Sequence, residues 1–120
     1  MKIVTDAVLR DVERLSERTG EAAARVKAGA DCLDVESAGL VVEHLCESLE
    51  AVWGMLAAVG ARVQQITERE TPEQAGRSTM KLMGSAAVHL ELGCGGLTLA
   101  QHVLMTGRAD LLRVERGDDL

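Results

Sequence analysis

The chain has no Tyr, no Phe and no Asn, and it has a single Trp and a single Pro. Scarce Pro and absent Asn, Tyr and Phe leave little material for strands or hairpin turns. There is no apolar stretch after Met1-Lys2, so no signal peptide is expected. The longest charge-free apolar run, Ala51 to Ala61, is far short of the roughly 20 residues that span a bilayer. Three cysteines are an odd number and make no disulfide framework. Free thiols in a reducing cytoplasm are the expectation. Excess acid (19 Asp+Glu against 13 Lys+Arg) argues against nucleic acid and anionic membranes as partners.

What is present is helical periodicity. At 120 residues and 47% apolar composition the chain is long and apolar enough for one folded domain. A first helix is expected over about 4–28, with Val4, Val8, Val12, Leu15, Ala22 and Val26 on one arc. Gly29 reads as its stop and Asp31 as the next N-cap. In a second helix, over about 33–69, Val35, Ala38, Val42, Leu45, Leu49, Val52, Leu56, Val59, Val63 and Ile66 step by three and four. Leu33, Leu40, His44, Ala51, Met55 and Ala58 form a weaker second arc. Thr71-Pro72-Glu73-Gln74 carries an N-cap, a Pro at N1 and a capping box.

The third helix is expected over 72–106. Met80, Met83, Ala87, Leu90, Cys94, Leu97 and Leu104 form its seam, with polar Gln101 among them. Gly107 reads as a stop and 109–116 as a short fourth helix. The expected fold is all-α: an antiparallel bundle of three long helices containing a coiled-coil-like hairpin, and dimerising into a larger bundle. A tight fold-back about residues 70 and 71 would set Ala57 and Ala58 against Gly84 and Met83, Cys46 beside Cys94, and Trp53 opposite Val88. The four methionines Met55, Met80, Met83 and Met105 read as core filler.

The whole net charge of −6 lies between Asp31 and Glu50, where six acids stand with no base. Glu36, Glu43, Glu47 and Glu50 project from one side of the second helix. Arg25, Arg18 and Arg14 of the first helix are level with Glu36, Glu43 and Glu47, so the stripe is either paired internally or offered to a basic partner.

Chemistry is poorly represented. No Cys-x-x-Cys, His-x-x-x-His or Glu-x-x-His appears, so neither metal nor cofactor is expected. Gly93-Cys94-Gly95-Gly96 resembles a nucleophile turn, but His89 and His102 are badly placed to activate a thiol. No enzyme is expected. Val88, Leu92, Leu99 and Val103 lie on the face of the third helix opposite its seam. Three helices then carry more apolar arcs than one bundle can bury, which points to a protein partner and to homo-oligomerisation through this face.

Two alternatives stand beside that reading. One is a bundle binding a small molecule, or a metal or thiol ligand, beside the hairpin glycines and the Cys46/Cys94 pair. The other rests on a resemblance. Short acidic helical hairpins rich in Ala, Gly and Val resemble the substrates of type VII secretion, and Trp53-Gly54 is the nearest match to that family's Trp-x-Gly turn. Here Gly follows Trp directly and mid-helix, and the family's C-terminal Tyr signal is absent. The resemblance implies a leaderless secreted hairpin. Arg outnumbers Lys ten to three, a composition expected of a GC-rich bacterial or phage source.

Overall fold

A computed structural model describes residues 2–69, 73 and 76–117. Apart from residues 33–34, 76 and 116–117, every described residue is helical. The elements are α1 (Lys2–Gly29), a 3-10 turn (Ala30–Cys32), α2 (Val35–Arg69) and α3 (Arg77–Glu115). The chain divides into two compact units between Asp34 and Val35.

The first unit is α1 with the turn that follows it. Its apolar arc forms as the periodicity requires, but α1 has no buried residue, and Val4, Val8, Val12, Leu15 and Val26 are exposed. Gly29 does not leave the helix in the left-handed region: its φ is −102°. The chain tightens instead into the 3-10 turn, where the Leu33 amide donates to the Ala30 carbonyl at 3.1 Å. Asp31 lies within that turn, so it does not cap α2.

The second unit is an antiparallel hairpin of α2 and α3. At 1.5 Å per residue the arms are about 52 and 58 Å long. The capping box expected at Thr71, Pro72 and Gln74 lies outside the described residues. Gly93, Gly95 and Gly96 do not interrupt α3, and neither does Gly107. The expected short fourth helix is the last part of α3. The real stop is Gly117, at φ 72°, whose amide donates to the Val114 carbonyl at 3.0 Å. A helical Gly costs roughly 1 kcal/mol, but Arg108 and Leu111 continue the seam beyond Gly107, so the helix runs through.

The seam of α3 follows its expected stripe. Met80, Met83, Ala87, Leu90, Cys94, Leu97 and Gln101 are half-buried, and Leu104 is slightly more open. The seam of α2 does not follow its stripe fully. Val42, Leu49, Val52, Leu56, Val63 and Ile66 are half-buried, yet Leu45 and Val59 are 53% and 52% exposed. The buried position is Cys46, at 6%. Gly39 and Gly60 are half-buried on the same side. The packed face of α2 is therefore turned toward the small residues by roughly 50°, about half the angle between successive residues. The weaker arc of α2 is exposed throughout. Of the four methionines read as core, Met80 and Met83 are half-buried, whereas Met55 and Met105 are exposed.

Candidate interaction surfaces of the hairpin

Three pairings set the register of the hairpin. A Cβ on Gly60 would stand 3.7 Å from the Leu90 Cβ. The Gln101 side-chain amide Nε2 donates to the Cys46 backbone carbonyl at 3.2 Å. The Arg108 guanidinium meets the Glu43 carboxylate at 3.0 Å. These pairs are symmetric about residues 73 to 76, not about 70 and 71. The cause is the connection: α2 ends at Arg69 and α3 starts at Arg77, a longer link than a tight turn.

The expected juxtapositions shift accordingly. Cys46 comes level with Gln101, two helical turns beyond Cys94, so the two cysteines are not paired; all three thiols are free. Trp53 shares a groove with Cys94 and not with Val88. Gly60 comes level with Leu90, so in this register Ala57 and Ala58 no longer face Gly84 and Met83.

Gln101 explains itself in this register. A polar side chain in an apolar seam must find a partner, and a small residue opposite lets it reach a main-chain oxygen. A polar group at one seam position penalises every other register. Thr98 and Thr106 satisfy their hydroxyls locally, on the carbonyls of Cys94 and His102.

The acidic stripe is divided. Because the packed face of α2 is turned toward Cys46 and Gly60, Glu43 comes to the hairpin edge and is bonded there by Arg108. Glu47 accepts from, or pairs with, His44 Nδ1 at 3.4 Å on the open surface. Glu36 and Glu50 are exposed. Arg108 has no role in the sequence reading, since it falls beyond the supposed stop at Gly107. The signal that could have found it is the unbroken three-four stepping from Gln101 through Leu104 and Arg108 to Leu111.

Two surfaces remain open. The first is a groove of about 340 Å³ between the arms, lined by Trp53, Leu56, Gly60, Leu90 and Cys94. It exists because Gly60 leaves space that a larger residue would fill. The second is the outer face of α3. Val88, Leu92, Leu99 and Val103 are 55% to 66% exposed and stand away from α2. They form the stripe that the spacing predicts, and none of the described residues of the hairpin covers them.

Among the described residues, no group of three or more His, Cys, Asp or Glu is gathered to hold a metal. Among them, no helix is long and apolar enough to cross a membrane. The chain matches no protein-family model, no curated protein and no solved structure.

Proposed function

We propose that this chain is a non-enzymatic helical interaction protein, an adaptor, assembly factor or inhibitor, that self-associates through the outer face of α3. The observation that carries this reading is the stripe Val88, Leu92, Leu99 and Val103 on a hairpin whose sole buried hydrophobic residue, among those described, is Cys46. Fully burying a Val or Leu side chain contributes about 1.5–3 kcal/mol. Each of these four is more than half open, so covering it recovers on the order of 1 kcal/mol. Contiguous apolar surface of this kind marks an interaction site. Glu36, Glu47 and Glu50 supply a separate acidic strip for a basic protein partner, with Glu43 committed to Arg108.

Static light scattering over a concentration series tests the reading. It expects a species heavier than one chain, reduced to monomer by Leu99→Glu. A wild-type monomer across the micromolar range would sink it.

A small apolar ligand in the groove is the second reading, favoured by the open volume beside Gly60 and Trp53. Native mass spectrometry of the purified protein separates the two: retained non-protein mass favours the ligand, and a dimer with no added mass favours self-association.

A further inference from the structure

The outer face of α3 is a palindrome about the bond between Gly95 and Gly96. Outward from that point, Leu92 mirrors Leu99, Val88 mirrors Val103, and Lys81 mirrors Asp110. All eight residues are exposed. We propose that the occupant of this face is the α3 helix of a second copy, laid antiparallel across a two-fold axis at Gly95-Gly96. This rests on the self-association reading and adds to it an orientation, a register and a pair of ionic locks.

The argument has three parts. An isologous interface requires that each residue i meeting j is repaid by j meeting i. The arrangement satisfies this: one copy's Leu92 meets the other's Leu99 and the reverse, and Val88 and Val103 do the same one turn further out. The second part is charge. In the antiparallel pair Lys81 meets Asp110 at both ends, two opposite-charge pairs about 44 Å apart along the axis. In a parallel pair Lys81 would face Lys81 and Asp110 would face Asp110, which repel. Among the described residues neither Lys81 nor Asp110 makes an ion pair within its own chain. The third part is approach. No atom lies within 4 Å of where a Cβ would stand on Gly95 or Gly96, so the two backbones can close at the axis. Because α2 packs on the opposite side of α3, the hairpin leaves this face clear for its whole length.

The test uses the full chain with Cys32→Ser and Cys94→Ala, Cys46 being buried. Val88→Cys and Val103→Cys are made as separate chains and oxidised alone and mixed. The antiparallel pairing gives a disulfide-linked heterodimer only from the mixture. Sedimentation equilibrium of the unmodified chain gives a dimer, and Leu92→Glu weakens it by at least about tenfold while circular dichroism shows the helices retained. Lys81→Glu and Asp110→Lys each weaken it by about three- to tenfold, and the double variant regains the wild-type value. If Val88→Cys chains cross-link with themselves, the antiparallel pairing is overturned while self-association through this face stands; a dimer that survives Leu92→Glu overturns the face itself. A wild-type monomer overturns both.

Discussion

Cys46 shows how a single side chain sets the closeness of two helices. Its small volume lets α3 approach until Gln101 bonds the main chain of α2. Replacing it with a larger residue forces the arms apart, and overpacking of this kind costs about 1–3 kcal/mol. Cys46→Leu is therefore expected to lower stability in urea by that amount. Leu45→Ser, one residue away and more than half exposed, is expected to stay within about 0.5 kcal/mol. The opposite order would mean that the stripe through Leu45 and Val59 is the packed one. Charge reversals separate the acids in the same way. Glu43→Lys sets a cation against Arg108, where the carboxylate now stands at 3.0 Å. A partly exposed pair is worth up to about 1 kcal/mol, and its reversal costs at least as much. Glu47→Lys faces solvent and is expected to leave the melting temperature nearly unchanged.

At the scale of elements, α3 is the most legible and α2 the least. The seam of α3 reads directly from Met80 to Leu97 because one side of that stripe is clearly richer in large apolar residues. In α2 the column Val42, Leu49, Leu56 and Val63 has apolar neighbours on both sides. Hydrophobicity alone favours the Leu45, Val52, Val59 side. Close packing favours the Cys46, Gly60 side, where large residues of α3 such as Leu90 fit against small ones. Gly107 does not end the helix for a related reason: a lone Gly is a weak breaker when the seam continues beyond it. Since α3 is continuous there and open around the glycine, Gly107→Ala is expected to raise stability by about 1 kcal/mol. A loss of stability in the same urea titration would show that the helix ends at this residue.

For the whole molecule, the balance between buried and open apolar surface bears on stability. A hairpin with one buried residue among those described gains little from its own packing, so association is expected to carry part of its stability. Binding that occurs only in the folded state raises stability by mass action. The melting temperature should therefore rise with protein concentration in the wild type and not in Leu92→Glu. The lone Trp53 lies in the groove and away from the outer face of α3. Its fluorescence is expected to stay constant across that concentration series. A blue shift on association would place the second copy in the groove instead.

Helix content, the seam and outer stripe of α3, and the fold-back into a hairpin follow from the sequence by itself. The reason is that three-four spacing and the polar stretch near residue 70 are local properties of the chain. The tertiary structure alone decided which flank of α2 is packed, the shift of register that joins Cys46 to Gln101, and the Arg108 partner of Glu43. Each of these depends on how closely two helices approach and on the length of the link between them. Neither quantity is written in the periodicity of either helix alone.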